Sequence, residues 1–253
     1  MRLLWDERVA LIGAEHITLA RPRPRRASVA TLEHGGEPVA ALVELLAQAG
    51  GDGKGRGVLA SLRRLHVLLG HPWLDAAILP WQDGLSAGDA WREYACVVLA
   101  EQGVKAPEGM NLCIEAAGYG RARLCVGARC ELVDGLVAAG KGAGWRIASC
   151  RDVVSAAAAR HVGRVGRNGT LALLEPGTLT CLFRCDAEWR DLATLRLDAG
   201  QSLQEALGTL AVLSGHAMNE RIHVAGFVPS DVVSNDAWTC VGSPDRRWDG
   251  VPV

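Results

Sequence analysis

One segment, residues 170–225, constrains the fold more than any other part of this 253-residue chain. It contains three successive strand-like runs, then a helical pattern, then a fourth strand-like run. The strand-like runs cover residues 170–174, 178–183, 192–197 and 221–225. The first two are joined by the turn Glu175-Pro176-Gly177, which predicts a β-hairpin. The order strand, turn, strand, strand, helix, strand predicts an α/β unit.

The helix of this unit carries recognisable signals at both ends. Ser202 and Glu205 stand three residues apart, as in a capping box, and Gly215 is a typical helix stop. One face of the predicted helix collects Leu203, Leu207, Leu210, Ala211 and Ser214. This spacing predicts an amphipathic helix that covers the strands beside it.

The rest of the chain also alternates between strand-like and helical patterns. The predicted strands cover residues 9–12, 17–20, 65–69, 75–79, 112–116, 122–126 and 145–149, with residues 237–241 as a further candidate. The predicted helices cover residues 38–49, 86–103, 130–139 and 152–162, the second of them capped at Ser86. The mixture predicts the α/β class. We expect a first lobe over residues 1–165 and a second over residues 166–253.

The glycine-rich run at residues 50–57 is predicted to be a flexible linker within the first lobe. It resembles a phosphate-binding loop in composition only. Gly55 follows Lys54 at the position where that loop needs a Ser or Thr hydroxyl for the metal ion, and a helix precedes the run where a strand is required.

Charge and hydropathy exclude several classes of partner. The net charge of −1 and the isoelectric point near 6.7 leave no electrostatic footprint for nucleic acid. No run reaches the roughly 18 consecutive apolar residues of a membrane span. Asp6, Glu7 and Arg8 interrupt any signal-peptide core. We therefore expect a soluble cytoplasmic protein.

The eight cysteines do not form a metal-binding pattern. The closest pairs are Cys125 with Cys130 and Cys181 with Cys185, and no matched second pair of ligands accompanies either. We expect reduced thiols that act as small buried apolar groups, and no bound metal.

The unit at residues 170–225 resembles the core unit of the actin-like superfamily, and residues 5–20 look like the opening of a more eroded first copy. The middle of the chain resembles a narrower group: PilM-type proteins of type IV pili and the cytoplasmic domain of the type II secretion L protein. That likeness rests on residues 65–69, on the run from Ile78 through Leu79-Pro80-Trp81 to Gly84, and on the helix pattern from Trp91 to Tyr94. It implies a two-lobe, ribonuclease H-like fold.

The resemblance also implies where nucleotide contacts would lie, namely at a hairpin turn in each lobe and at a loop after the last strand. Leu11 stands where the first turn should carry an Asp, and a leucine cannot ligate Mg²⁺. The second turn substitutes Glu175 for the Asp and inserts Pro176. The loop after the last strand reads Gly226-Phe227, which puts a bulky ring in the nucleobase position. These departures predict loss of ATP hydrolysis and no catalytic residue.

Two aromatic-rich connectors are candidates for partner binding. The chain has eight Trp against two Phe and two Tyr. Trp73, Pro80 and Trp81 lie in connecting segments, and Trp is enriched at interaction hot spots. The alternative, that these indoles close the edges of the core, stays open.

The histidines have no nucleophile or carboxylate at a fixed spacing, and a protonated His161 would suit the end of its helix.

We therefore expect a non-catalytic adaptor of a type IV pilus or type II secretion assembly platform, recruited to the inner membrane. Its partner would be the cytoplasmic tail of a membrane protein or the assembly ATPase. The alternative is an actin-like protein that binds ATP and Mg²⁺ through Gly13, Glu175, Gly177, Thr178 and Gly226 and changes conformation. A third possibility is a purely structural subunit of a larger assembly.

Overall fold

The computed structural model describes residues 6–21, 29–50, 63–85, 88–198, 200–215, 221–226 and 238–241. The strands are β1 (Asp6–Ile12), β2 (His16–Ala20), β3 (Ala30–Glu33), β4 (Arg63–Leu69), β5 (Leu74–Leu79), β6 (Met110–Ile114), β7 (Arg123–Arg129), β8 (Arg146–Asp152), β9 (Gly169–Glu175), β10 (Thr178–Cys185), β11 (Glu188–Arg196), β12 (Ile222–Gly226) and β13 (Trp238–Cys240). The α-helices are α1 (Pro38–Gly50), α2 (Gly88–Glu101), α3 (Cys130–Gly142), α4 (Val153–Val165) and α5 (Leu203–Ser214), and Pro107–Gly109 forms a short 3-10 helix.

These elements form two compact units. The first contains the described residues of Met1–Leu74 and Ala128–Val153, and the second contains those of Asp75–Gly127 and Val154–Pro252. The units do not follow the lobe boundary expected at residue 165, because residues 75–127 group with the C-terminal part of the chain. Most of the expected linker, residues 51–57, and the expected helix cap Ser86 lie outside the described residues.

The first unit is built on a five-stranded sheet in the order β3-β2-β1-β4-β8. Its central strand β1 pairs antiparallel with β2 and parallel with β4. Alternate residues of β1 and β4 are almost completely buried, among them Ala10, Ile12, Leu65 and Val67. Because side chains alternate between the two faces of a strand, this pattern defines one fully covered face of the sheet.

Helices α1 and α3 pack against each other and against this sheet. Two glycines of α3 permit the close approach. A Cβ at Gly135 would lie 3.1 Å from Val39 Cγ2, and a Cβ at Gly140 would lie 2.5 Å from Ile147 Cδ1. Helix α3 therefore approaches α1 and β8 more closely than any larger residue at these positions would allow.

The second unit contains a five-stranded sheet in the order β11-β10-β9-β12-β13. Strand β9 pairs antiparallel with β10 and parallel with β12, so strand order and sense repeat those of the first unit. All seven residues of β9 are buried. The repeat confirms the prediction that the N-terminal strands open a first copy of the pattern at residues 170–225.

Helix α5 covers one face of this sheet. Its residues Ala206, Leu207 and Leu210 are buried together with apolar side chains of β9, β10 and β12. The predicted capping box is present, since Ser202 Oγ accepts from the Glu205 N–H and the Glu205 carboxylate accepts from the Ser202 N–H. Gly215 ends the helix in the left-handed conformation. Both end signals read from the sequence are confirmed.

A three-stranded sheet in the order β5-β7-β6 completes the second unit. It packs on α2 through a buried cluster of Leu79, Trp91, Ala95 and Cys125. This part is tied to the five-stranded sheet by charge, because Arg121 lies 3.7 Å from the Glu188 carboxylate. Both sheets belong to the second unit. In the sequence, residues 75–127 of this unit lie between the two parts of the first unit.

Two elements differ from the sequence-based prediction. Strand β3 was not predicted, because its four residues are mostly exposed and lack an apolar pattern. Strand β11 begins at Glu188, four residues earlier than expected. The turn before it uses Asp186 and Ala187 at positive φ, and such a tight hairpin turn normally carries Asn or Gly. Because neither Asn nor Gly occupies this turn, the sequence did not predict it.

Gly226 at the end of β12 makes the closest backbone approach among the described glycines. It pairs with Leu174, and a Cβ at Gly226 would lie 2.2 Å from the Leu174 carbonyl oxygen. Its φ of +98° is also one that residues with side chains rarely adopt. The geometry of the sheet alone is sufficient to require glycine here.

We predict that Gly226→Ala lowers the free energy of unfolding by about 3 kcal/mol, from backbone overlap and a strained φ. Gly208→Ala is the matched control, because Gly208 lies in α5 with no atom within 4 Å of an added Cβ. The control should stabilise the protein by up to about 1 kcal/mol through helix propensity. Urea unfolding followed by circular dichroism measures both, and equal effects would contradict the assignment.

Candidate functional site

The first hairpin turn joins β1 to β2 and is closed by its own backbone. The Gly13 N–H donates to the His16 carbonyl at 3.0 Å. Leu11 lies opposite Thr18 in the strand register and is 7% exposed. An aliphatic side chain thus occupies the position at which the resemblance to active relatives requires a carboxylate.

Two side chains hold the carbonyl of Gly13. The Trp73 indole donates from Nε1 at 2.6 Å, and His34 Nε2 lies 3.0 Å away. His34 Nδ1 accepts from the Gly36 N–H at 3.1 Å, so the proton of a neutral ring resides on Nε2, which donates to Gly13. The His34 and Trp73 rings meet edge to face with centroids 5.5 Å apart. Both backbone groups of Gly13 are therefore engaged within the first unit.

The second hairpin turn joins β9 to β10 and differs in chemistry. Glu175 and Thr178 face each other in the register and are 4% and 3% exposed. Gly177 has a φ of +74°, and its carbonyl accepts from the Leu197 N–H at 2.9 Å. Pro176 provides no N–H. This turn retains a buried carboxyl group and a glycine with positive φ, but Pro176 contributes no backbone N–H donor.

An aromatic surface, which we define as Pro80, Trp81, Tyr94 and Tyr119, lies on the second unit. The Trp81 and Tyr119 rings are 4.7 Å apart between centroids. Tyr119 is 86% exposed, and Pro80 is also exposed. Trp81 Nε1 donates to Asp83 at 3.0 Å. The arrangement presents large apolar area together with polar edges.

Trp91 supports this surface from below. It is 4% exposed, its ring centroid lies 5.7 Å from that of Trp81, and its Nε1 donates to the Leu85 carbonyl. The guanidinium of Arg123 stacks on the Trp91 ring at 4.4 Å and donates to the Ala117 carbonyl at 3.2 Å. Arg123 thereby fixes the loop that carries Tyr119 relative to the buried indole.

Trp73, Pro80 and Trp81, the residues expected to bind a partner, do not share one compact unit. Trp73 belongs to the first unit, where its indole N–H is committed to Gly13. Pro80 and Trp81 belong to the second unit. Tyr119, His34 and Arg123 escaped the sequence analysis. Tyr119 could have been noticed, because it is the exposed residue of the Gly118-Tyr119-Gly120 turn.

Other His and Cys side chains were also considered for chemistry in the sequence analysis. His66 lies between Ser149 Oγ at 2.8 Å and Glu7 Oε1 at 3.0 Å, across β8, β4 and β1, so its ring is satisfied as a polar link between strands. Burial raises the pKa of the Cys181 thiol to about 12, which keeps it protonated. Cys185, by contrast, is exposed and not buried as expected.

Neither a metal site nor a membrane span is found in the part of the chain that the structure describes. The described residues contain no group of three or more His, Cys, Asp or Glu side chains suited to a metal ion. Among the same residues, none of the helices combines the length and the apolar character needed to cross a bilayer.

Solved structures similar to this chain identify the fold. The cytoplasmic domain of EpsL, an inner-membrane component of the Vibrio cholerae type II secretion system, matches with a TM-score of 0.58 and 13% identity over 94% of this chain and 91% of that chain. A Bacteroides thetaiotaomicron protein of unknown function with an actin-like ATPase fold matches with a TM-score of 0.57 and 8% identity, over 89% and 83% of the two chains.

This chain has an actin-like fold. The match confirms the predicted mixed α/β, actin-like architecture. The same strand order in the two five-stranded sheets agrees with this fold. No protein-family model matches the sequence, and no curated protein matches it. The three-dimensional arrangement, and not sequence identity, therefore carries the assignment.

From the sequence, nucleotide contacts are expected at the two hairpin turns and after the last strand. Of the residues expected to contact nucleotide, Gly13 lies in the first unit, and Glu175, Gly177, Thr178 and Gly226 lie in the second. Gly226 is explained by its approach to Leu174, and Phe227 lies outside the described residues. The nucleotide role of this set stays a prediction.

We predict that Trp73→Phe lowers the free energy of unfolding by about 1 kcal/mol, because it removes the bond to the Gly13 carbonyl and keeps most of the ring. Trp81→Phe is the control, since it removes an exposed hydrogen bond to Asp83 and should cost well under about 0.5 kcal/mol. Urea denaturation of both variants provides the comparison. A smaller loss for Trp73→Phe than for Trp81→Phe would refute the role of Trp73 in holding the turn.

Proposed function

We propose that this actin-like protein is a non-catalytic adaptor in the assembly platform of a type II secretion system or type IV pilus. In this role it works in the cytoplasm at the inner membrane. It docks the cytoplasmic tail of an inner-membrane platform protein or the assembly ATPase. The EpsL cytoplasmic domain supports the proposal, because the structural match extends over nearly the whole of both chains.

The first hairpin turn is the observation that carries the non-catalytic part of the proposal. Phosphoryl transfer in this fold requires a carboxylate to orient the metal ion and backbone N–H groups directed at phosphate. Here Leu11 replaces the carboxylate, and the Gly13 N–H is bonded to His16. Trp73 and His34 stabilise the turn from its carbonyl side, so rotation of the peptide that follows Gly13 would break two hydrogen bonds. Rotation of the peptide that precedes Gly13 would break the hydrogen bond to His16.

The aromatic surface supports the docking part of the proposal. Exposed aromatic rings backed by a buried ring make good anchors, because little side-chain entropy is lost when they are covered. Tyr119 is almost fully exposed, whereas Trp91 and Arg123 hold its surroundings in place. An extended or helical segment with apolar side chains would cover Pro80, Trp81 and Tyr119 together.

Binding to platform components tests the adaptor role. We expect labelled peptides from the cytoplasmic tails of neighbouring inner-membrane platform proteins, or the purified assembly ATPase, to bind the chain in fluorescence anisotropy titrations. Tyr119→Ala should raise the dissociation constant by about tenfold or more, as for an interface hot spot. Its side chain is exposed, so the fold should be unaffected.

Val212→Ser is the matched control, because Val212 is an 82% exposed apolar residue of the same unit on α5, outside the aromatic surface. It should leave the dissociation constant unchanged. If no tail and no ATPase binds at micromolar concentrations, the adaptor proposal is wrong. If binding occurs and both variants weaken it equally, the adaptor role stands and the aromatic surface is not its site.

Calorimetry with ATP and Mg²⁺ separates the adaptor from the nucleotide-binding alternative. We expect no heat of binding and no phosphate release at millimolar nucleotide. Saturable binding that is lost in Glu175→Ala, with that variant folded by circular dichroism, would support the alternative role of the second turn. Mg²⁺-dependent hydrolysis by the wild-type protein would overturn the non-catalytic assignment.

A further inference from the structure

Two buried histidines of the second unit lack a hydrogen-bond partner on one ring nitrogen. His161 of α4 is 6% exposed and His223 of β12 is 9% exposed. The Nδ1 atom of each ring is buried and makes no hydrogen bond. A buried polar atom without a hydrogen-bond partner costs free energy. Two such atoms in interacting side chains indicate that a ligand or an ordered group supplies the missing hydrogen bonds.

The surroundings of these rings are positive. Arg160 and Arg164 of α4 act electrostatically on His161, and Arg164 and Arg221 act on His223. His223 also acts electrostatically on His161. Arg164 donates to the Val241 carbonyl, which holds α4 beside the end of β13, and the Arg221 carbonyl accepts from the Thr170 N–H at 3.3 Å. The cluster is thus fixed by backbone contacts.

The central arginines, Arg164 and Arg221, have no carboxylate partner in the part of the chain that the structure describes. Arg164 and Arg221 are both exposed residues. A cation would be repelled by this arrangement, whereas an oxyanion would accept hydrogen bonds from guanidinium and imidazole donors.

We propose that His161, His223, Arg164 and Arg221 form a binding site for a small tetrahedral oxyanion of the phosphate or sulfate type. The site lies between α4 and the start of β12, entirely within the second unit. It is distinct from the two hairpin turns and does not depend on the adaptor role.

Protonation of the histidines should couple to occupancy of this site. Burial, with further contributions from Arg160, Arg164 and His223, lowers the pKa of His161 to about 4. Burial and then Arg221 and Arg164 lower the pKa of His223 as well. The expectation from the sequence that a protonated His161 suits its helix end is therefore wrong at neutral pH. A bound anion favours the charged rings and opposes these shifts.

The sign of the pH effect follows from proton uptake. Without anion, the unfolded histidines bind protons as the pH falls below about 6.5, whereas the folded rings stay neutral until lower pH. The free energy of unfolding therefore decreases as the pH falls from about 6.5 towards 4. An anion that raises both folded pKa values recovers part of this loss, so its affinity increases as the pH falls.

Sulfate is the appropriate probe, because it stays a dianion over the pH range in which histidine titrates. The midpoint of thermal unfolding is measured against sulfate concentration at constant ionic strength, with chloride replaced, at pH 6.0 and 7.5. We expect a saturable rise of a few degrees, larger at pH 6.0 than at pH 7.5. A rise that is linear and equal at both pH values would be a general salt effect and would overturn the proposal.

Variants locate the response. Arg221→Gln changes an exposed side chain and should abolish the saturable rise while leaving the chain folded. His161→Gln should also abolish it and should flatten the loss of stability at low pH. His16→Gln is the control, because His16 is a half-exposed histidine of the first unit paired with Glu33, and it should respond as the wild type does. Retention of the full sulfate response in Arg221→Gln would exclude this site.

Two further measurements distinguish the source of the anion in the cell. Inorganic phosphate is titrated in the same way, and co-sedimentation is measured with phosphatidylglycerol vesicles against phosphatidylcholine vesicles. Sedimentation with the anionic vesicles that Arg221→Gln abolishes assigns a lipid headgroup. A phosphate response without sedimentation assigns a free phosphate. Failure of sulfate, phosphate and vesicles alike would refute the site.

Discussion

The mixed pairing of one central strand in each unit is the constraint on which the rest of the structure depends. β1 and β9 each accept a hairpin partner on one side and a parallel strand on the other. A parallel neighbour requires a crossover, so helices must pack on the sheet between the two strands. This arrangement places a tight turn at the end of each central strand, and it buries the strand so completely that polar side chains there need fixed partners.

The two turns share one backbone plan and differ in the side chains that they carry. In the first, Leu11 is buried, and Gly13 forms hydrogen bonds through both its N–H and its carbonyl. The second keeps a buried Glu175 beside Thr178, with Pro176 removing a donor.

Most elements of the fold were predictable because their signals are local. The capping box at Ser202 and the stop at Gly215 depend on neighbouring backbone groups, so sequence spacing is sufficient to place them. The start of β11 was not predictable, since Asp186 and Ala187 take positive φ without glycine. For the site, Trp81 lies in a connecting segment as expected, and its partner-binding role stays a prediction. Trp73 was assigned to the same partner-binding set, although its indole donates to the Gly13 carbonyl.

The sequence by itself determined the class of fold, the order of most strands and helices, and the absence of a carboxylate at Leu11. Each of these follows from periodicity, caps or the chemistry of a single side chain. Only the tertiary structure decided which groups meet, because contacts between distant segments depend on sheet order and register. It brought His34 and Trp73 to one carbonyl, and it buried His161 and His223 among arginines. Spacing along the chain contains no record of such meetings.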